Sequence, residues 1–348
     1  MLHTNIERRT LHFRQKATTS RGAYDTRHIW LVSVADDERP GAVGVGECAP
    51  LPDLSPDAMP DSDYELLLLT VCDDLRQTGS LDRDALLPYP SVLFGLETAL
   101  WQMGRGGDTA LSSTPFARGE EGIRINGLVW MGSFDEMMRR MEEKVSGGFH
   151  CVKLKIGGID FAEELKIVEA LRGEFDKSQV EIRLDANGAF SPQDAMRRLE
   201  ALAKFDIHSI EQPIRQGQWD AMARLCETSP IDIALDEELI GLGRTEDKEA
   251  MLKAIGPRYI VVKPTLHGGL SGACEWVGMA HGLGIGSWLT SALESNIGLN
   301  AIAHLAAETY GTSDAMPQGL GTGQLFTDNI PMPLSIRGER LFYTPRGQ

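Results

Sequence analysis

From residue 123 onward the chain repeats one unit, which is a short apolar strand, a loop and then an amphipathic helix. Eight strands are predicted, at residues 123–129, 151–156, 180–185, 207–211, 231–236, 259–263, 286–291 and 319–321. Helices with apolar residues at helical spacing fall between them, for example at 161–175, 192–204 and 269–281. Because a helix between two strands carries the chain back to the same end of a sheet, this pattern predicts parallel pairing.

Eight such units in about 200 residues predict an α/β fold of the (β/α) TIM-like barrel type over residues 123–325. A doubly wound open sheet is the competing fold. That fold would favour a glycine-rich phosphate loop after its first strand, and the segment that follows Val129 is not one.

The first part of the chain has a different pattern. Two antiparallel strands are predicted at 28–35 and 42–48, and two helices near 63–76 and 91–104. We therefore predict an N-terminal α+β capping domain over residues 1–122. Its segments 19–22 and 46–52 are either lid loops over a substrate or plain turns. The C-terminal segment 326–348 is expected to return to the capping domain, with 334–343 as an edge strand.

Five successive barrel strands end on a charged residue, namely Lys155, Asp185, Glu211, Asp236 and Lys263. Side chains alternate between the two faces of a strand, and this parity points all five into the barrel. A barrel interior is normally filled with branched apolar side chains, and buried charges are costly unless they are paired or bind a metal. The pattern indicates an active site, and a salt-bridged network without a metal remains the alternative.

The charge types suggest the chemistry. Three carboxylates without histidine or cysteine favour Mg²⁺, with Mn²⁺ as a possible substitute. Lys153 and Lys155 lie two residues apart on one strand face. Near a divalent cation we expect both of their pKa values to be lowered, which would make a lysine a competent base. A lysine beside Mg²⁺ suits removal of a proton next to a carboxylate, with formation of an ene-diolate.

Composition limits the partners. A net charge of −16 argues against nucleic acid and anionic membranes as partners. The lysine and metal chemistry makes a small-molecule carboxylate the expected partner. No apolar run is long enough to cross a bilayer. Five scattered cysteines without a C-x-x-C pair are typical of reduced thiols, so a cytoplasmic location is expected. The oligomeric state is not fixed by the sequence.

The strand-end motifs KLK (153–155), DAN (185–187), EQP (211–213), DE (236–237) and VKP (262–264) occur in this order. Together they resemble the enolase superfamily, and within it the muconate-lactonizing subgroup. The resemblance implies Asp185, Glu211 and Asp236 as metal ligands, with Asn187 and Glu237 supporting them.

Further segments resemble the o-succinylbenzoate synthase family of menaquinone biosynthesis. They are TSRG (19–22), GECAPLP (46–52), VLFGLET (92–98), KPTLHGG (263–269), SALES (291–295) and GLGTGQ (319–324). The resemblance implies a hydro-lyase that dehydrates 2-succinyl-6-hydroxy-2,4-cyclohexadiene-1-carboxylate. It also implies that Lys155 is the base, that Lys153 keeps the pKa of Lys155 low, and that Lys263 stays charged over the ring.

Four residues are candidates for substrate contacts. Ser291 and Glu294 follow the seventh strand, within reach of the succinyl tail, while Thr19 and Arg21 belong to the first predicted lid loop. Arg21 can meet a carboxylate or simply be solvated. Backbone N–H groups at the start of the helix predicted at 297–308 could also hold a carboxylate.

Related activities use the same lysines. Dipeptide epimerases and N-acylamino-acid racemases are the nearest alternatives, and racemisation beside dehydration stays open. Dipeptide epimerases usually carry Asp-x-Asp at the eighth strand, whereas this chain has GLGT at 319–322. Muconate cycloisomerase fits less well. An alternative of another class is a non-catalytic barrel that binds an anion, although so much buried charge would be costly to keep without a use.

Overall fold

A computed structural model describes residues 1–19, 22–130, 132–313 and 315–345. Its first part is an antiparallel sheet of β1 (Leu2–Thr19), β2 (Gly22–Asp36) and β3 (Val43–Cys48), in that order. Helices α1 (Asp61–Thr78) and α2 (Pro90–Gly104) cover one face of the sheet. Alternate residues of β2, such as Val32 and Val34, pack against Leu68 and Leu96 of these helices.

Glycine lets α2 lie directly on β3. A Cβ atom built at Gly46 would come within 1.7 Å of the carbonyl oxygen of Gly95, and one at Gly44 within 1.8 Å of that of Ala99. Both clashes are with backbone, so no side-chain rotation can relieve them. The spacing of the two glycines therefore fixes how closely the helix approaches the sheet.

The second part contains eight further strands and seven helices within the described residues. The strands are β4 (Ile123–Arg124), β5 (Gly127–Val129), β6 (Cys151–Lys155), β7 (Glu181–Asp185), β8 (Ser209–Glu211), β9 (Asp232–Leu235), β10 (Tyr259–Val262) and β11 (Gly286–Leu289). The helices are α3 (Phe134–Ser146), α4 (Phe161–Glu174), α5 (Pro192–Leu202), α6 (Trp219–Thr228), α7 (Thr245–Ile255), α8 (Gly269–Gly282) and α9 (Asn296–Tyr310). Strands β5 to β11 pair in parallel and in chain order, as predicted.

The eighth barrel position is not a regular strand. Isolated bridges join Ile125 to Gln318 and Thr290 to Gly319. The amide of Asn126 donates to the carbonyl of Gln318 (3.0 Å), and the amide of Gly319 donates to that of Leu289 (2.8 Å). The segment predicted at 319–321 thus closes the curled sheet through two residues, and the TIM-like fold is confirmed.

Side-chain parity along the barrel strands is also confirmed. Outward residues such as Leu154 and Ile182 join the large core shared with the helices. Inside, Ala234, Val261 and Trp288 form a small apolar layer of their own. Arg183 is fully buried below the strand ends, with its guanidinium 4.5 Å from the centre of the Trp288 ring, a cation–π contact.

The C-terminal hairpin differs from prediction. Strands β12 (Leu334–Arg337) and β13 (Arg340–Tyr343) form a hairpin, and β13 pairs with β4 instead of entering the sheet of the first domain. Alternation identifies a strand but carries no information on its partner, which is why the sheet partner of the hairpin differs from the predicted one. The C-terminal segment still contacts the first domain, through the bridge of Phe13 with Phe326, whose ring centres are 4.5 Å apart, and the hydrogen bond between the hydroxyls of Tyr343 and Thr109 (2.8 Å).

Two general features agree with the composition. No helix in the described part of the chain is long and apolar enough to cross a membrane. All five cysteines are free thiols.

Candidate active site

The charged strand ends meet at one end of the barrel. In the sheet register Lys155 lies beside Asp185, and Asp185 lies beside Glu211. The strands β9 and β10 continue the sheet and deliver Asp236 and Lys263 from the residues directly after them. Glu211 and Asp236 are fully buried and the lysine side chains are 9–13% exposed, so the cluster lies within the molecule and opens only through its lysines.

Each predicted metal ligand is paired with a lysine. Lys153 Nζ donates to both oxygens of Glu211 (3.0 and 2.9 Å) and lies 3.5 Å from Asp185 Oδ2. Lys155 Nζ donates to Asp185 Oδ2 at 2.8 Å. Lys263 Nζ donates to Asp236 Oδ2. The sequence-predicted residues are therefore brought together.

The electrostatics of the lysines differ from the expectation. Burial lowers the pKa of Lys153, but Glu211, Asp185 and Asp236 raise it by more, so the net pKa is raised. Burial likewise opposes a charged Lys263, yet Asp236 and Glu237 raise the pKa of that lysine above its usual value. The expected lowering of the Lys153 pKa applies to a site that holds a divalent cation and stays a prediction; with the protein charges alone the pKa is raised, because carboxylates outnumber lysines around it.

The carboxylates repel one another. Burial, together with Asp185 and Asp236, raises the pKa of Glu211 to about 7 despite Lys153. Burial, Asp236 and Asp185 also raise the pKa of Glu237 to about 7. Burial alone would raise the pKa of Asp185, but Lys155 and the other lysines lower it well below its usual range. The four carboxylates of Asp185, Glu211, Asp236 and Glu237 thus repel one another within one buried region.

This donor set fits a hard divalent cation. Within the described ranges no three acidic, histidine or cysteine side chains form a ready-made metal cluster, because ammonium groups lie between the carboxylates. However, buried Asp236 Oδ1 and Glu237 Oε2 have no hydrogen-bond partner among those residues. A purely salt-bridged network does not explain two unpartnered buried carboxylate oxygens, whereas an oxygen-seeking cation does.

Asn187 links the base to the acidic cluster. Its Oδ1 accepts from Lys155 Nζ (2.8 Å), and its Nδ2 donates to Glu237 Oε1 (3.0 Å). Asn187 has a positive φ of 42°, which asparagine tolerates better than most residues. The supporting residues predicted from the sequence, Asn187 and Glu237, both line the same cavity as Lys155.

Gln212 and His267 are two supporting residues that the sequence reasoning did not assign. Gln212 Oε1 accepts from the amides of Asp236 (3.1 Å) and Glu238 (3.2 Å), which fixes the turn after β9. His267 Nδ1 accepts from the amide of Lys263 (2.9 Å). Both lie in the quoted motifs, but only the three-dimensional structure shows that they hold neighbouring strand ends.

A cavity lies above the strand ends. Its lining includes Lys153, Lys155, Asp185, Lys263 and Ser291, joined by Tyr24, Leu51 and Leu54 from the first domain and Leu128, Trp130, Leu266 and Leu293 from the barrel. The apolar lining was not predicted. For Leu128 and Trp130 a signal was available, because they share strand parity with Asn126 and point inward.

The predicted substrate contacts have different outcomes. Ser291 lines the cavity, whereas Glu294 is fully buried behind it and accepts hydrogen bonds from Ser291 Oγ (2.6 Å) and the Ala292 amide (2.8 Å). Arg21 lies outside the described residues, as does the side chain of Thr19. The first amides of α9 are not open to a substrate carboxylate, because Glu47 binds them.

Comparison with known proteins decides the family. The family model for the enolase C-terminal domain matches residues 136–338, and that for the MenC N-terminal domain matches residues 5–103. An o-succinylbenzoate synthase of Desulfotalea psychrophila is 43% identical, over 97% of this chain and 98% of its own. The chain belongs to the o-succinylbenzoate synthase family.

Solved structures agree with this membership. The crystal structure of MenC from Desulfotalea psychrophila has a TM-score of 0.82 and 40% identity, covering 98% of this chain and 99% of that one. A dipeptide epimerase from Enterococcus faecalis, complexed with Mg and L-Leu-L-Tyr, also has a TM-score of 0.82, over 98% of this chain and 96% of its own, but only 18% identity. That second likeness shows the shared fold. As a member of this family the chain is a hydro-lyase of the enolase superfamily, whose members depend on a metal.

Proposed function

We propose that this chain is a Mg²⁺-dependent o-succinylbenzoate synthase, which dehydrates 2-succinyl-6-hydroxy-2,4-cyclohexadiene-1-carboxylate in menaquinone biosynthesis. The observation that carries the proposal is the set of three lysine–carboxylate pairs beneath one cavity, in a chain 43% identical to a curated o-succinylbenzoate synthase. This arrangement suits removal of a proton next to a carboxylate.

Lys155 is the proposed base. Its Nζ lines the cavity and is held by Asp185 and Asn187, so its position is fixed from below. In its uncharged form it takes the proton from the ring carbon that bears the carboxylate. The same proton then leaves with the hydroxyl of the neighbouring carbon as water, and the ring becomes aromatic. One substrate gives one o-succinylbenzoate and one water, and Lys155 is restored.

The other two lysines are proposed to remain charged. The raised pKa of Lys263, which burial opposes but Asp236 enforces, suits a cation that lies over the ring of the reacting substrate. The raised pKa of Lys153 suits a fixed positive charge beside Lys155. These pKa directions agree with the roles that the family resemblance implies.

Asp185, Glu211 and Asp236 are the proposed metal ligands, with Mg²⁺ as first choice and Mn²⁺ as a substitute. When bound, the cation would offset the negative charge that builds up on the substrate carboxylate. The barrel strands β7, β8 and β9 bring these three carboxylates together. Glu237 and Asn187 complete the surroundings, since Glu237 keeps a buried oxygen without a partner among the described residues.

The cavity walls suit the substrate. Leu51, Leu54 and Leu266 supply apolar surface for the ring, and Ser291, whose hydroxyl donates to Glu294, stays a predicted contact of the succinyl tail. Thr19 and Arg21 stay predicted contacts. We also propose the division into a capping domain (1–122), a barrel (123–325) and a C-terminal segment, and a cytoplasmic location, in keeping with five free cysteines.

The test is direct. Purified protein with Mg²⁺ is given the cyclohexadiene substrate, and formation of the aromatic product is followed by its absorbance. We expect turnover that disappears on chelation and returns with Mg²⁺. Absence of turnover in folded, Mg²⁺-loaded protein would refute the proposal.

Racemisation of N-acylamino acids is a second candidate activity. Lys155 and Lys263 enter the cavity from strands four positions apart in the sheet, so both sides of a bound carboxylate can face a lysine. Incubation of an N-succinylamino acid in D₂O distinguishes the two. Exchange of its α-proton together with loss of optical activity would establish racemisation, whereas dehydration alone leaves the acid unchanged.

A further inference from the structure

A carboxylate of the first domain reaches across to a barrel helix. Glu47 lies at the end of β3 and is fully buried. Its Oε1 accepts from the amide of Ser295 (2.8 Å), and its Oε2 accepts from the Ser295 hydroxyl and the amide of Gly298 (3.0 Å). The donors belong to the N-cap residue of α9 and to its first turn, where a negative charge is stabilised.

The loop just before α9 is held by a second carboxylate. Glu294 accepts from the hydroxyls of Thr265 and Ser291 and from the Ala292 amide. Thr265 comes two residues after Lys263, so Glu294 joins the loop of the sixth barrel strand to that of the seventh. Glu294 therefore holds the beginning of the segment 291–298, and Glu47 holds its end.

That segment forms a wall of the cavity. Residues 290–293 all line it, and Leu293 has a φ of 67°, a left-handed conformation that is strained for leucine. Gly298 shows how tightly the segment is packed. A Cβ atom there would lie 2.7 Å from Glu294 Cβ and 3.1 Å from Glu47 Oε2. The hydrogen bonds of the two carboxylates thus maintain a strained wall.

A buried arginine of the first domain acts on both carboxylates. Arg27 is buried and donates from Nη2 to the carbonyl of Ala49 (2.6 Å). Its charge acts on both Glu294 and Glu47, which offsets two adjacent buried carboxylates. Leu51 and Leu54, a few residues after Glu47, line the same cavity and belong to one apolar cluster with residues 292–293.

We propose that Glu47 is a positioning residue for substrate recognition, because its carboxylate fixes two stretches of cavity lining, Leu51 with Leu54 and residues 290–293, relative to each other. This inference rests on the proposed function, since these two stretches line the cavity in which the succinyl-bearing substrate would lie. Glu47 itself does not line the cavity.

The test compares Glu47→Gln with Glu97→Gln. Glu97 is a matched control, because it also crosses from the first domain to the start of a barrel helix, where it accepts from the Ser271 amide (3.0 Å), and it does not line the cavity. A glutamine has one acceptor oxygen where the carboxylate has two, so Glu47→Gln loses interdomain hydrogen bonds, and Glu97→Gln gives up either the bond to Ser271 or the ion pair with Arg83. The probes are KM and kcat for the diene, and the Kd of o-succinylbenzoate by calorimetry with saturating Mg²⁺.

We expect both variants to have a lower thermal midpoint, but only Glu47→Gln to raise KM and the product Kd, each by about tenfold, the size of one lost hydrogen bond to a charge. Glu97→Gln should stay within about twofold of wild type, and kcat should change less than KM in both. An equal loss of affinity in both variants would show general domain docking and overturn the proposal. Unchanged affinity in Glu47→Gln would overturn it too.

Gly298→Ala tests the same point if Glu47→Gln does not fold. Alanine favours the helix but forces Glu47 and Glu294 apart. We expect the same rise in KM and Kd, and normal affinity would overturn the proposal. The wild-type protein distinguishes failure of this inference from failure of the proposed function. If wild type neither binds the product nor turns over the diene, the proposed function is refuted, whatever the variants do.

Discussion

Lys155 and Lys263 lie on one cavity but differ in their charge partners. Lys155 is shared between Asp185 and the neutral Asn187, whereas Lys263 is bound to Asp236 with Glu237 close by. This asymmetry supports one base and one permanent cation, although both residues are lysines. The predictions at the residue scale follow from it.

Lys155→Ala should lower kcat by about 10³-fold or more, because it removes the proposed general base. The affinity for o-succinylbenzoate, measured by calorimetry, should remain within about tenfold of wild type, which shows that the site is intact. Turnover at more than a few per cent of the wild-type rate would contradict the role of this lysine.

Lys263→Arg keeps the charge but should still abolish most turnover. A guanidinium is planar and larger than an ammonium, so it can neither repeat the bond to Asp236 nor lie in the same place over the ring. Steady-state kinetics with the diene test this, and Lys253→Arg on the surface of α7 is a control that should be silent. Near-normal kcat in Lys263→Arg would show that any cation suffices.

His304 predicts acid sensitivity. Burial lowers the pKa of this histidine from 6.5 to about 3, and its Nδ1 is 3.0 Å from Ser112 Oγ. His304 binds a proton more readily in the unfolded chain than in the folded protein. The contribution of neutral His304 to stability is therefore complete above pH 6.5 and is lost as the pH falls toward 3. In urea unfolding, the free energy of unfolding of wild type minus that of His304→Leu should decrease by up to a few kcal/mol between pH 7 and pH 4. A difference that does not vary with pH would contradict this.

At this scale the sequence predicts positions better than energies. Strand parity alone placed Lys153, Lys155 and Asp185 inside the barrel, because alternation is a property of the local backbone. The pKa direction of Lys153 was not predictable, since it depends on the carboxylates that three other strands bring near. The binding of Glu47 to α9 was equally hidden, because it depends on how two distant segments dock.

At the scale of elements, the contact of α2 with β3 depends on the absence of side chains. Gly46→Ala should destabilise the protein by about 2–4 kcal/mol, because its Cβ would meet the backbone of α2 at Gly95. Gly278→Ala in α8 is the control, since a Cβ there meets nothing within 4 Å and should be neutral or slightly stabilising. Chemical denaturation measures both. Equal stability of the two variants would contradict the packing argument.

Elements were predicted well where the pattern is local. The strands of the barrel and the helices α2 and α8 occur within a few residues of their predicted bounds, because periodicity and glycine mark them. The eighth strand is shorter than predicted, and the hairpin of β12 and β13 has a different partner. The pairing of the eighth strand and that of the hairpin both depend on which sheet edge remains free after the other strands have assembled.

At the scale of the whole molecule, a bound cation should stabilise the fold, because it would add to the lysines in offsetting the buried acids. Mg²⁺ should raise the thermal midpoint in a saturable manner, with a stabilisation of about 2.7 kcal/mol at a hundred times its Kd. Asp236→Asn should remove most of this shift, whereas Glu249→Gln on the exposed side of α7 should retain it. An equal Mg²⁺ response in both variants would place the cation elsewhere.

The closure of the barrel has a consequence for synthesis. Gln318 and Gly319 bind Ile125 and Thr290, so the residues that close the sheet leave the ribosome after all those they join. Until then a nascent chain presents two open sheet edges, β5 and β11, which are able to pair with other chains. For a growing polypeptide, the interval before residue 319 emerges is therefore the period of greatest exposure to misassembly.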